Sequence, residues 1–202
     1  MEPMEAIVLA AGYSSRANAF KMTLRLGAMS ILEHTISKFE GICSRVIVVC
    51  GYRNERIYDA LTEIRMRGRY ELELVGVTNE RFDEGMFSSV QRGCMEVETS
   101  GFFITPGDCP LVREETVRKL AETRGQAVIP SYDRRGGHPI KLAGELRSRI
   151  LEAPADSNLR SILQNHDKQY VNVGDPGILL DLDTPEDVQR AVDYYNQLGK
   201  AR

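Results

Sequence analysis

Short apolar runs along the chain alternate with stretches whose apolar positions recur every three or four residues. Ala6–Ala10, Arg45–Cys50, Glu71–Val77, Phe102–Thr105 and Ala127–Pro130 are the runs, and Ile140–Leu142 is a shorter one. Several are almost unbroken in Val, Ile, Leu and Phe, the pattern of strands covered on both faces. Between them, Ile31–Phe39, Glu55–Arg67, Ser88–Glu98 and Glu114–Thr123 read as helices, with Ile57, Leu61 and Ile64 forming one stripe of the second. Val188, Ala191, Val192, Tyr195 and Leu198 line a last helix. Alternating strands and helices predict an α/β fold, an open and mostly parallel sheet with helices on both faces. Ligands of such sheets bind beyond the carboxyl ends of the strands, so the chemistry is sought there. No internal repeat or Pro/Gly/Ser-rich linker interrupts the 202 residues, and residues 1–202 are expected to form a single domain.

Charge narrows the function classes. Lys and Arg number 26 against 29 Asp and Glu, a formal net charge of −3. That is no footprint for nucleic acid, and without tryptophan no base-stacking platform stands out. Any anion must be held by a few placed cations and backbone amides. Cys43, Cys50, Cys94 and Cys109 follow no CxxC or zinc spacing and read as reduced structural thiols. The apolar Ala6–Ala11 is too short to span a bilayer, so a soluble, cytoplasmic protein without membrane contact is expected.

The first strand runs into a small-residue loop, Leu9-Ala10-Ala11-Gly12-Tyr13-Ser14-Ser15-Arg16, followed by Lys21. Small residues let backbone amides approach phosphate oxygens, which Arg16 can fork and Lys21 can neutralise. Neither GxxxxGK[ST] nor GxGxxG is present, which argues against a P-loop kinase and a dinucleotide oxidoreductase. A strand exit with a solvated Arg and Lys would look the same. Asp108, in Pro106-Gly107-Asp108-Cys109-Pro110, follows the strand Phe102–Thr105, where a metal ligand or a simple turn Asp would stand. Asp181 and Asp183, two apart in an expected strand, would share a face and need a cation or water between them. Thr184-Pro185-Glu186-Asp187 is a good helix start and needs no function. Asn79 and Gly85 offer an amide and open backbone, while Ser88 or Ser89 can cap the helix that follows. Arg134-Arg135-Gly136-Gly137-His138-Pro139 is a basic turn, either facing an anionic acceptor or forming a solvated hairpin. His34 and His166 lie on helical segments and are assigned no chemistry.

Taken together, these segments resemble the molybdenum-cofactor nucleotidyltransferase family. The resemblance runs from Leu9 to Asp187 and joins the LAAG-x-S-x-R…K loop with Leu26-Gly27, Ile31-Leu32-Glu33-His34, Gly85-Met86-x-x-Ser89, Gly107-Asp108-x-Pro110, Gly137-His138-Pro139 and Asp181-x-Asp183-Thr184-Pro185-Glu186-Asp187. Each piece is short; their order and spacing are specific. The resemblance implies a Rossmann-like three-layer nucleotidyltransferase fold and Mg²⁺-dependent transfer to a pterin phosphate. It implies that the Leu9, Ala10, Ala11 and Gly12 backbone, Arg16 and Lys21 hold the triphosphate. Asp108 and an acid of the Asp181–Asp183 pair would hold the metal, with Arg16, Lys21 and Asp108 at the catalytic centre. Asn79, Gly85 and Ser89 would lie near base and sugar, and His138 on the acceptor side. Ala-Ala-Gly, where relatives have Ala-Gly-Gly, goes with CTP rather than GTP.

The chain departs from the family pattern at Asn18 and Asn158, which replace glycines; asparagine's tolerance of positive φ would let both turns survive. The implied reaction is attack of an acceptor phosphate on the α-phosphorus of CTP with release of pyrophosphate. Two other readings stay open: a nucleotidyltransferase of the same fold acting on a sugar or polyol phosphate, and a non-catalytic nucleotide-binding or chaperone-like partner of a molybdoenzyme.

Overall fold

The computed structural model describes residues 3–12, 21–182 and 184–200. Arg16, Asn18 and Asp183 therefore lie outside the described residues. The strands are β1 (Glu5–Ala10), β2 (Arg25–Leu26), β3 (Met29–Ser30), β4 (Arg45–Cys50), β5 (Glu73–Thr78), β6 (Gly101–Pro106), β7 (Ala127–Tyr132), β8 (Arg135–Gly136), β9 (Ile140–Ala143) and β10 (Lys168–Asn172). The α-helices are α1 (Ile31–Ser37), α2 (Asn54–Met66), α3 (Met86–Glu96), α4 (Glu114–Glu122), α5 (Glu145–Glu152), α6 (Leu159–Leu163) and α7 (Pro185–Lys200).

The main sheet runs β10-β7-β9-β6-β1-β4-β5, with β8 added to β7. β1 pairs in parallel with both β4 and β6, while β9 is antiparallel to β6 and β7. The short β2–β3 hairpin stands apart. β1 is buried along its whole length, which explains its unbroken apolar reading. One face packs Val8, Val46, Val48 and Phe103 with the stripe Ile57, Leu61 and Ile64 of α2. The other packs Ile7, Ile47, Val49 and Ile104 against Val90 and Cys94 of α3 and Leu146 and Ile150 of α5. Helices on both faces give the three layers, the Rossmann-like arrangement the sequence implies. Glu5, the one charged residue of β1, is satisfied by Arg45 Nε at 2.5 Å, the amides of Glu98 and Thr99, and the Thr99 hydroxyl. All four cysteines are buried and free.

Several boundaries differ from the sequence reading for local reasons. α3 starts at Met86, not Ser88, because Gly85 takes φ 104° and turns the chain into the helix. Ser88 is therefore inside the first turn, donating to the carbonyls of Arg81 and Gly85, and Ser88 and Ser89 are not caps. The expected strand at Asp181–Asp183 is absent among the described residues. A 3₁₀ turn, Pro176–Leu179, leads into an irregular segment through Leu180, Asp181 and Leu182. Pro176 and the turn-forming Asp175-Pro176-Gly177 sequence prevent the extended pairing that alternation suggested. Asn158 uses extended backbone, φ −146°, and caps α6 in a reciprocal pair with Ser161, so no positive φ is needed there.

Candidate active site

The site lies where β1 and β6 end side by side, with Leu9 in register with Pro106. The Gly107 amide donates to the Leu9 carbonyl at 2.8 Å, and Thr35 of α1 donates its hydroxyl to the Gly107 carbonyl at 2.9 Å. These bonds hold the turn that presents Asp108. Lys21, opening a single 3₁₀ turn (Lys21–Thr23), brings its Nζ to 2.6 Å from Asp108 Oδ2. The two residues are only 8% and 7% exposed. Each charge compensates the desolvation of the other. Lys21 and Asp108 are 87 residues apart, and the fold makes them one unit.

Asp181 joins them. Its Oδ1 accepts from the Cys109 thiol at 3.3 Å, and ligand atoms of Asp108, Cys109 and Asp181 lie within 4.8 Å of one another. Burial pushes the Cys109 thiol well above its usual range, and the negative charges of Asp181 and Asp108 push it further. In this arrangement the thiol is the donor in its hydrogen bond to Asp181. Asp181 stands where it does because of Asp175, which is almost wholly buried. Asp175 accepts from the Arg113 amide at 2.8 Å, the Thr116 hydroxyl at 2.7 Å and the Gly177 amide at 3.0 Å, clamping the Pro176–Leu179 turn onto α4.

His138 enters from the other side. Its amide donates to the Ile178 carbonyl at 3.1 Å, so it is stitched to the same turn. Burial lowers the imidazole pKa, while Asp181, a backbone hydrogen bond at Ile104 and Asp108 raise it by less, leaving a lowered value overall. Its Nδ1 is buried with no hydrogen-bond partner.

The strand order keeps the end of β1 beside this cluster and sets Asn79 and Gly85 apart from it. Leu9, Ala10 and Ala11 are buried in or just beyond β1, and Gly12 is exposed with open space around its Cα. The Ala11 carbonyl accepts from the Tyr52 amide at 3.3 Å, joining the exits of β1 and β4. Asn79 and Gly85 lie past the end of β5, three strand spacings from β6, about 14 Å. The Asn79 side chain is turned inward. Its amide donates to Ser88 Oγ at 2.8 Å and Ser89 Oγ at 3.0 Å, and its Oδ1 accepts from the Arg81 amide. It braces the turn before α3 and holds Ser89 with it. Gly85 has no atom within 4 Å of where a side chain would begin.

The sequence alone missed Thr35, Asp175 and the thiol of Cys109. Asp175-Pro176-Gly177 carries a turn signature that could have marked the clamp; Thr35 sits in an ordinary helical stretch and carries no such signal.

The family described as MobA-like NTP transferase domain matches residues 6–170. The chain is 29% identical over 199 residues to the molybdenum cofactor cytidylyltransferase of Escherichia coli (strain K12), covering 98% of this chain and 100% of that protein. Among solved structures, a nucleotidyl transferase from Methanothermobacter thermautotroptrophicus superposes with a TM-score of 0.83 at 22% identity, covering 97% of this chain and 99% of the other. A Mycobacterium tuberculosis protein in complex with manganese gives a TM-score of 0.71 at 20% identity, covering 95% and 98%. The chain is a nucleotidyltransferase and belongs to the MobA-like NTP transferase domain family.

Proposed function

We propose that this chain transfers CMP from CTP to the phosphate of molybdopterin or the molybdenum cofactor, releasing pyrophosphate, with Mg²⁺ as the metal. The observation that carries the reading is the buried Lys21–Asp108 pair with Asp181 beside it, at the crevice where β1 and β6 end. Full-length similarity to a molybdenum cofactor cytidylyltransferase and the Ala10-Ala11-Gly12 loop support the base and the acceptor.

The donor set suits a hard cation. Asp108 and Asp181 offer carboxylate oxygens and the Cys109 thiol is turned to Asp181 Oδ1, which fits Mg²⁺, an ion that takes one or two carboxylates beside phosphate and water. Asp108 and Asp181 would hold it, with Asp183 as a third acid outside the described residues. When bound, the ion neutralises charge on the phosphates. The manganese complex of a structural relative is in keeping with a divalent metal.

Each residue then has a task. The backbone from Leu9 to Gly12 cradles the triphosphate, with Arg16 and Lys21 supplying positive charge. Lys21, fixed by Asp108, faces charge developing on the oxygens of the α-phosphate and leaving group, the preorganised placement that accelerates such reactions. The distance of about 14 Å from β6 to β5 suits a nucleotide lying across the strand ends, with its sugar near Gly85 and its base near Ala11 and Tyr52. Asn79 and Ser89 shape that end through their mutual bonds. The acceptor arrives beside His138. Its phosphate is already anionic at neutral pH, so no general base is required.

The test is a panel. Pyrophosphate release is measured with Mg-CTP and Mg-GTP against a pterin monophosphate, a sugar phosphate and a polyol phosphate. Release with CTP and the pterin phosphate supports the reading; release only with a sugar or polyol phosphate replaces the acceptor; a preference for GTP replaces the base.

A further inference from the structure

The hairpin joining β7 to β8 has an unusual turn. Its two central residues, Asp133 and Arg134, both sit in the left-handed region, at φ 48° and 60°, and neither is glycine. Tyr132 and Arg135 close it as a paired register. This is the two-residue turn whose twist suits a hairpin, normally built from Asn-Gly or Gly-Gly. Left-handed backbone is unfavourable for a residue with a Cβ. The arginine therefore sits where the fold would favour glycine. Arg134 and Arg135 are exposed, and among the described residues neither side chain makes a hydrogen bond or an ion pair. Most other arginines in the fold are committed, among them Arg45, Arg67, Arg81, Arg92 and Arg118, each to a carboxylate.

The hairpin lies on the rim of the site, two strands from β6. β7 runs parallel to β6, because both are antiparallel to β9, so its carboxyl end lies on the same rim as Asp108. After β8 the chain passes straight into Gly137 and His138. Gly137 is pressed so closely on the Ile178 carbonyl that a Cβ there would collide with it. Arg135 and Gly137 are two apart in extended chain and share a face. Arg135 thus leaves the strand on the side of Ile178, three residues before Asp181. At the base of the hairpin, the buried Nδ1 of His138 has no hydrogen-bond partner among the described residues, a second, independent sign of a polar ligand.

We propose that Arg134 and Arg135 form the anion-binding arm of the acceptor subsite, gripping the phosphate of the incoming acceptor while His138 Nδ1 meets a polar atom of its ring system. The inference rests on the proposed transfer to a phosphorylated acceptor and adds the residues that select for phosphate. Arg134 departs from glycine because its charge is used. The arm contacts the acceptor only; the nucleotide lies two to five strands away, from β6 to β5.

The experiment separates the arm from the reaction. Binding of a pterin monophosphate and of the same pterin without its phosphate is followed by pterin fluorescence, for the wild type, Arg134→Gly, Arg135→Ala and the double variant. Mg-CTP binding is measured in parallel by calorimetry. The wild type is expected to prefer the phosphorylated pterin by about tenfold or more, and the double variant to lose that preference, as befits charge-assisted hydrogen bonds. Mg-CTP affinity stays the same in all four proteins. Arg134→Gly folds at least as stably as the wild type, because it relieves the turn, so a loss of binding there is not a loss of structure. Equal wild-type affinity for the two pterins, or an unchanged preference in the double variant, overturns the arm. Failure of pyrophosphate release in the wild type strikes the proposed reaction instead, and leaves the binding comparison to decide the arm by itself.

Discussion

Lys21 Nζ lies 2.6 Å from Asp108 Oδ2, and both side chains are about nine-tenths buried. The pair joins the residue that follows the glycine-bearing loop of β1 to the residue that follows β6, so each half of the site is needed to make the other tolerable.

Asp108→Asn is therefore expected to cost both activity and stability. Turnover falls about a hundredfold or more, the loss typical of removing one preorganised charge. Sequence reasoning expects little change in stability, since removing one of several acids relieves repulsion. The structure reverses that expectation, because the substitution takes from the buried Lys21 ammonium the carboxylate 2.6 Å away, at about 1–3 kcal/mol. Steady-state turnover and urea unfolding of the variant check both halves; undiminished stability would mean that the pair is open to water in solution.

Cys109→Ala removes the donor to Asp181, whereas Cys109→Ser keeps one. Apparent Mn²⁺ affinity, read by electron paramagnetic resonance, is expected to shift in the alanine variant and to recover in the serine variant. Identical affinities in all three proteins would show that the thiol does not orient Asp181.

Asn79→Ala leaves Ser88, Ser89 and the Arg81 amide without their shared partner. The buried groups make the substitution cost about 1–3 kcal/mol. The turn before α3 loosens, so KM for CTP rises while kcat is little altered. A selective fall in kcat with unchanged KM would place Asn79 in the chemistry instead of the scaffold.

Two histidines give the pH dependence. Burial lowers the pKa of His34 and of His138 below 6.5 in the folded chain. As pH drops past 6.5, the unfolded chain takes up protons first, so stability is present above that value and is lost as pH falls through the folded pKa values. Thermal unfolding from pH 8 to pH 5 is expected to show a falling midpoint, with a shallower fall in His138→Gln. A midpoint that rises on acidification contradicts the sign.

How much of this was legible in the chain follows from which forces act locally. β1, β4 and β6 announce themselves because buried parallel strands must be apolar on both faces, and α2 through its Ile57, Leu61 and Ile64 stripe. Asp108 was legible through its position after β6. The Lys21–Asp108 bond was not, since no local pattern joins residues 87 apart. The Asp181 strand was misread because i, i+2 acids fit a strand, while Asp175-Pro176-Gly177 just upstream commits the chain to a turn. Asn79 was legible as a polar residue at a strand end, but its inward rotamer depends on Ser88 and Ser89, on the helix after the intervening turn.

Ala11 lies beside the exit of β4, its carbonyl accepting from the Tyr52 amide. CTP is expected to exceed GTP by about tenfold in kcat/KM, the scale on which one methyl group discriminates, and Ala11→Gly is expected to narrow that ratio. An unchanged ratio in the variant removes Ala11 from base selection.

The most direct measurement of the central claim follows the label. The wild type is supplied with Mg²⁺, a pterin monophosphate and CTP labelled in the α-phosphate, and the products are separated. The α label is expected to move to the acceptor while γ-labelled CTP releases its label as pyrophosphate. Label from the γ-phosphate on the acceptor, or an α label that stays with free CMP, would contradict it.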